Sequence, residues 1–136
     1  MNPRGLISQA RQQGRRALDE ASGKALLAHY GVRVPKTVIV QNASGIEGAL
    51  AGLTFPVVVK VVSPEILHKS DAGGVRVGLK NMDEVREAIG AMARLPKIAA
   101  AHVDGWLVEE MAPPGQELVV GGLRDPQFGP LVMLGL

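Results

Sequence analysis

Apolar and polar positions alternate along this chain with two different periods, and the periods predict its elements. From Leu18 to Tyr30 the apolar residues Leu18, Ala21, Ala25, Leu26, Ala28 and Tyr30 fall mostly on one helical face, and Gly31 follows as a C-terminal stop. Lys36 to Val40 is short and β-branched. Ser44 then stands three residues before Glu47, a spacing that predicts a capping box and a helix to Leu53. Phe55 to Val62 reads F-P-V-V-V-K-V-V, a run suited to a strand buried on both faces. Val75 to Leu79 predicts a second strand, free to pair with the first as an antiparallel ribbon. Met82, Val85, Ala88, Ile89, Met92 and Leu95 recur at helical steps. Trp106 to Met111, Leu118 to Leu123 and Gly129 to Leu136 complete the strands, with R-D-P-Q-F-G-P as the turn before the last.

The last strand, ending L-V-M-L-G-L, has no polar terminus and is expected to belong to a sheet that is cut short. The rival expectation is an interface that covers the same strand, with self-association through its open edge. No internal repeat, heptad or low-complexity stretch is visible.

Composition narrows the chemistry. The 136 residues suit one compact domain or a piece of one. No apolar run is long enough to span a bilayer, and residues 1–20 lack the apolar core of a secretion signal. The absence of cysteine excludes disulfides, thiolate nucleophiles and cysteine-based metal sites, and fits a cytoplasmic location. A formal charge of +2 with one Trp, one Tyr and two Phe gives little support to nucleic-acid binding. Arg4, Arg11, Arg15 and Arg16 form a basic cluster, read as a solvated face against the alternatives of a transit peptide or a polyanion-binding arm.

Lys60 breaks a run of five valines. An ammonium there costs several kcal/mol, on the order of a buried charge, unless a carboxylate or phosphate meets it. The other reading is a lysine near a strand end that reaches water along its stem. The loop after the strand carries His68, Lys69, Ser70, Asp71, Gly73 and Gly74. Its glycines would let backbone amides approach an anion, or would simply make a hairpin connection. His68 has no second histidine at metal-ligand spacing; beside cations it could accept a phosphoryl group or act as an acid or base, or be an ordinary surface histidine. His29 and His102 lie in no comparable turn. Glu109, Glu110 and Met111 close one strand and Glu117 precedes the next, either as an exposed acidic strand end or as a backbone and carboxylate set for a purine and ribose.

Taken in order, the segments A-L-L-A-H-Y-G-V-R-V-P, F-P-V-V-V-K-V-V-S-P-E-I-L-H-K-S-D-A-G-G-V, W-L-V-E-E-M, G-Q-E-L-V-V-G and D-P-Q-F-G-P-L-V-M-L-G make the chain resemble the ATP-grasp portion of NDP-forming acyl-CoA synthetases, the ADP-forming acetate–CoA ligases. Neither a Walker A motif nor a dinucleotide fingerprint is present. The resemblance implies an α/β ATP-grasp fragment with an α+β lid. It would comprise a basic segment over 1–16, a helix and β–α lead-in over 17–54, a lid over 55–112 and the incomplete start of the next subdomain over 113–136. It also implies that Lys60 holds the nucleotide α- and β-phosphates and that His68 helps pass a phosphoryl group. Lys69 and the loop from Ser70 through Asp71 to Gly73 and Gly74 would cover the phosphates. Glu109, Glu110 and Met111 would meet adenine, with the choice between the two glutamates open, and Glu117 would lie near the ribose. ATP or ADP and Mg²⁺ are the implied cofactors, with the metal ligands expected downstream of Leu136, and a CoA-binding domain or subunit is the implied partner. The whole enzyme would interconvert acyl-CoA, ADP and phosphate with carboxylate, CoA and ATP through a phosphohistidine, and the fragment alone is expected to be inactive. Two alternatives stand beside this: the ATP-grasp-like regulatory region of a protein lysine acetyltransferase, and a non-catalytic nucleotide-binding or interaction module.

Overall fold

A computed structural model describes every residue except Met1 and Leu67, so the first position of the basic segment and one position of the loop before His68 lie outside the described residues. Four strands form an antiparallel sheet in the order β1 (Thr37–Val40), β4 (Gly105–Glu110), β2 (Val57–Val62), β3 (Val75–Leu79). The β2–β3 ribbon expected from the sequence is present, with a register shift between Val57 and Val59. Strand β2 begins two residues later than its apolar run, at Val57.

Strand alternation sorts this sheet into two unlike faces. Val57, Val59 and Val61 of β2, with Trp106 and Val108 of β4 and Val40 of β1, point to one side and are buried there. Helices α3 (Ile46–Leu50), α4 (Met82–Ala93) and α5 (Pro96–Ala99) cover that side through Ile46, Leu50, Val85, Ile89, Met92 and Ile98. The three- and four-residue spacing in α4 is what lets one helix present Val85, Ile89 and Met92 together. Its start is fixed reciprocally: Asn81 accepts from the Glu84 amide (2.9 Å) while Glu84 accepts from the Lys80 amide (2.8 Å).

One local expectation differs from the structure. The helix near Ser44 is only the five residues of α3, because Gly45 precedes it in the left-handed region (φ 67°) and the Ser44 amide donates to Asn42 instead. No Ser44–Glu47 capping box forms; Glu47 pairs with Arg86 on α4. The arginines of the basic N-terminal stretch are exposed, as expected of a solvated face, and the stretch is helical over α1 (Pro3–Gln12), capped by Asn2, with Leu6 buried. Proline at the first helical position explains the start, since its missing N–H would have had no partner there.

The second face of the sheet carries Thr37, Ile39, Val58, Lys60, Val62, Leu107 and Glu109, as the registers Thr37↔Glu109, Val58↔Glu109 and Lys60↔Leu107 require. Helix α2 (Glu20–His29) stands over it, capped by Asp19, which accepts from the Ser22 amide (2.8 Å). No residue of α2 is buried, so the apolar stripe expected there does not act as a core face. The remaining strands, β5 (Val119–Asp125) and β6 (Gly129–Gly135), pair only with each other, and Asp125 closes their turn by accepting from the amides of Gln127 and Phe128. Their apolar side chains are exposed.

Candidate functional site

Lys60 projects from the middle of β2 onto the second face, and carboxylates meet it there. Its ammonium lies 2.6 Å from Glu20 Oε1 and 3.2 Å from Glu109 Oε1. Lys69 donates to the other oxygen of Glu20 at 3.0 Å, and Lys24 contacts Glu20 at 2.9 Å and also pairs with Glu109. Three ammonium groups therefore share two carboxylates, leaving a net positive charge of one within the cluster. The desolvation cost expected for Lys60 is offset by these partners rather than by release of the side chain into water, since only 23% of it is exposed.

The two carboxylates are held differently. Glu109 is the buried charged side chain of the sheet (6% exposed), and its Oε2 also accepts from the Thr37 hydroxyl at 2.9 Å. It is fixed by two strands, β4 and β1. Glu20 sits in the first turn of α2 and is more open. Burial alone would raise the Glu20 carboxyl, but hydrogen bonds from Lys60, Lys24 and Lys69 outweigh it and lower the pKa from 4.5 to about 2. A cleft of about 460 Å³ opens beside the cluster, lined among others by Arg15, Leu18, Glu20, Val62, Lys69 and Leu107.

The other sequence candidates divide around this cluster. Lys69 joins it. His68 does not: the chain turns there, and His68 lines a separate open cleft with Asp71, Ala72 and Lys97. Ser70, Asp71, Gly73 and Gly74 form a tight hydrogen-bonded turn in which Ala72 N donates to His68 O (3.3 Å), Gly73 N to Ser70 O (3.0 Å) and Gly74 N to Lys69 O (2.7 Å). These amides are engaged inside the turn, so in this conformation they are not turned outward as an anion cradle. Steric need accounts for the glycines. A Cβ at Gly73 (φ +72°) would meet Leu95 at 2.8 Å, and one at Gly74 would meet Val61 at 2.4 Å.

At the end of β4 the alternation separates the two glutamates. Glu109 faces Lys60, whereas Glu110 turns to the opposite face, where the Thr54 amide donates to it at 2.8 Å and holds it below the usual carboxylate range. The Met111 amide donates to Pro56 O (3.3 Å), so a purine edge at this segment would have to use another group or displace that bond. Glu117 lies exposed between β4 and β5.

Glu20 and Lys24 were not singled out from the sequence. Their signal was the i, i+4 Glu-to-Lys spacing at a helix start, a pattern that usually marks a solvated pair. The unmet charge of Lys60 was the reason to seek an acidic partner on a neighbouring helix.

A polyanion fits the donor set of Lys24, Lys60 and Lys69 in charge and in number of N–H donors. A divalent metal does not fit what is present, since among the described residues no three His, Asp or Glu side chains gather where they could hold one.

Comparisons with known proteins bear on the family and the fold. A family model described as an ATP-grasp domain matches residues 9–136. The beta subunit of acetate–CoA ligase (ADP-forming) I from Pyrococcus furiosus is 40% identical over 135 residues, which cover 98% of this chain and 58% of that subunit. A solved structure of dinucleotide-forming acetyl-coenzyme A synthetase 1 from Ca. Korarchaeum cryptofilum, in complex with coenzyme A and Ca-AMPCP, superposes with a TM-score of 0.88 at 41% identity, covering 97% of this chain and 58% of that one. Another structure of that enzyme, with coenzyme A and Mg-AMPPCP and its phosphohistidine segment pointing towards the nucleotide binding site, gives a TM-score of 0.81 at 40% identity over 98% of this chain and 56% of that one. The chain thus spans rather more than half the length of these subunits, and its mixed α/β architecture is that of their ATP-grasp fold. With a family model matched over nearly all its length, the chain belongs to the ATP-grasp domain family.

Proposed function

We propose that this chain supplies the phosphate-holding part of the nucleotide site in an ADP-forming acyl-CoA ligase, which interconverts acyl-CoA, ADP and phosphate with a carboxylate, CoA and ATP. The observation that carries this reading is the convergence of Lys60, Lys69 and Lys24 on one sheet face beside an open cleft. The relatives named above support the choice of nucleotide and of acyl-CoA chemistry.

In this reading Lys60 and Lys69 bind the nucleotide phosphates. Glu109 keeps Lys60 aimed across the sheet face, through a carboxylate tied to Thr37 and Lys24. The strand end at Glu109 to Met111 lies against the purine, with Glu117 toward the ribose. Glu110 contributes backbone only, because its carboxylate is turned to the other face. The turn from Ser70 through Asp71 to Gly73 and Gly74 reaches the phosphates by rearranging its internal hydrogen bonds. His68, exposed at the edge of its own cleft, receives or relays a phosphoryl group from a segment that approaches from outside, by way of an acyl phosphate and a phosphohistidine. The CoA-binding part of the enzyme is the partner that brings that segment. Mg²⁺, when bound with the nucleotide, would neutralise phosphate charge; no residues described here assemble its site, and no step assigned to this chain runs through it.

Calorimetric titration with ADP tests the reading. The wild-type chain should bind, and Lys60→Met should abolish binding while the thermal unfolding transition persists. Equal affinity in the two proteins would remove Lys60 from the site, and no binding by the wild-type chain would end the nucleotide assignment.

A further inference from the structure

Lys60 and Lys69, the two ammonium groups assigned to phosphates, are already bridged by one carboxylate. Glu20 places Oε1 2.6 Å from Lys60 and Oε2 3.0 Å from Lys69, so its two oxygens span the pair as two oxygens of a phosphate would. It also lines the cleft through which a ligand would come, whereas Lys60 does not.

We infer that Glu20 is an internal competitor for the nucleotide phosphates, a carboxylate on the first turn of α2 that occupies the cationic position and must leave before a nucleotide can use it. This rests on the nucleotide reading above. The asymmetry between the two acids identifies which one moves. Glu109 is buried, lies within a central strand and is held by Thr37 besides the lysines. Glu20 is about a quarter exposed and is carried by a helix none of whose residues is buried. Withdrawing Glu20 disrupts no apolar core, whereas withdrawing Glu109 would take a buried carboxylate from the Thr37 hydroxyl as well as from Lys24 and Lys60. Lys24 gives the displaced state its balance, since it pairs with Glu109 as well as Glu20 and remains neutralised when Glu20 leaves. Lys60 already serves both Glu20 and Glu109, so a phosphate that takes the place of Glu20 avoids adding a third anion to the cluster.

The groups facing Glu20 are Lys24 on its own helix, Lys60 on β2 and Lys69 on the loop after it, and all of these hold it ionised, its carboxyl lying near 2. The competitor therefore stays charged through the neutral range, and the phosphate charge of the ligand, not proton uptake, displaces it.

Two probes, ADP and inorganic triphosphate, titrated calorimetrically into wild type, Glu20→Gln and Glu20→Asp, test the inference. Glu20→Gln keeps the shape of the side chain and removes its charge, so both probes should bind about tenfold more tightly, or by about 1.4 kcal/mol. Glu20→Asp draws the carboxylate back by one methylene and should give a smaller gain, which keeps the test decisive if Glu20→Gln fails to fold. Wild-type binding with no gain, or a loss, in the folded variant would overturn the competitor role while leaving the nucleotide reading intact. A gain for ADP without one for triphosphate would also overturn it, since Glu20 would then act on the purine or ribose. Absence of binding by both wild type and variants would remove the nucleotide reading and the competitor with it.

Discussion

The two faces of the four-stranded sheet are made by the same strands, yet they solve opposite problems. On one, Val57, Val59 and Val61 meet Val85, Ile89 and Met92 in a buried apolar cluster, with Glu110 only at its strand-end margin, and the helices that cover it are bound by apolar contact. On the other, residues one position along the same strands present Lys60 and Glu109, and the covering helix α2 is held by its charged first turn. Apolar burial is non-directional and satisfied as soon as surface is removed from water. A charge cluster is satisfied only by partners of opposite sign, and those can be exchanged for others of the same sign. The first face is therefore the structural one, and the second is the face on which the proposed nucleotide would replace a protein group.

Truncation at the apolar face should have the largest effect on stability. Ile89→Ala removes a fully packed side chain from between α4 and the sheet, and should cost about 2–5 kcal/mol in urea unfolding. A loss below about 1 kcal/mol would mean that α4 is not the element sealing this face. Next comes Glu109→Ala, which leaves Lys24 and Lys60 only Glu20, a carboxylate Lys69 also uses, and leaves the Thr37 hydroxyl only its bond to Pro35 O (3.2 Å). Breaking a fully buried pair costs about 3–5 kcal/mol, and partial access of water to both lysines should reduce this to about 2 kcal/mol. Equal stability of Glu109→Ala and wild type would show that the charged face contributes nothing to the fold, and would erase the contrast between Glu109 and Glu20.

How much of this was legible in the sequence follows from the same contrast. The apolar face could be read directly, because period-two valines in β2 and the helical spacing of Val85, Ile89 and Met92 are local patterns that tertiary structure had only to bring together. Lys60 was legible as an anomaly, since a lysine within valines violates the pattern. Its partners were not, because Glu20 lies 40 residues away and an ion pair between distant elements leaves no periodic trace. The glycines of the 70–74 turn were legible as a special conformation but not by cause; the need comes from the Leu95 and Val61 side chains, which no spacing rule connects to them. Helix α1 was missed because the basic cluster that begins in it, at Arg4 and Arg11, drew the reading away from an N-cap, Asn2 followed by Pro3, that the sequence did contain. The family resemblance supplied the fold as a whole, and it assigned Glu109 and Glu110 together; strand alternation is what divides them between the two faces.

A third effect, which water reaching the partly exposed cluster screens, separates the faces by proton rather than by mutation. The Glu20 carboxyl is lowered from 4.5 to about 2 in the folded protein, so between those values the unfolded chain binds a proton that the folded chain does not. Stability should therefore rise with pH across that window: the contribution of Glu20 is fully present above about pH 4.5–5 and is lost as the pH falls toward 2. Other carboxylates titrate there as well, and Glu110, lowered by the Thr54 amide, adds to the same slope. The difference between wild type and Glu20→Gln isolates one group. Denaturation midpoints of the two proteins should be farthest apart near neutral pH and converge as the solution is acidified, whereas Ile89→Ala should stay a constant distance below wild type because no proton is linked to an apolar contact. A gap between wild type and Glu20→Gln that is the same at pH 7 and near pH 2 would mean that Glu20 stabilises the protein by shape alone, and the charged face would then be held as the apolar one is.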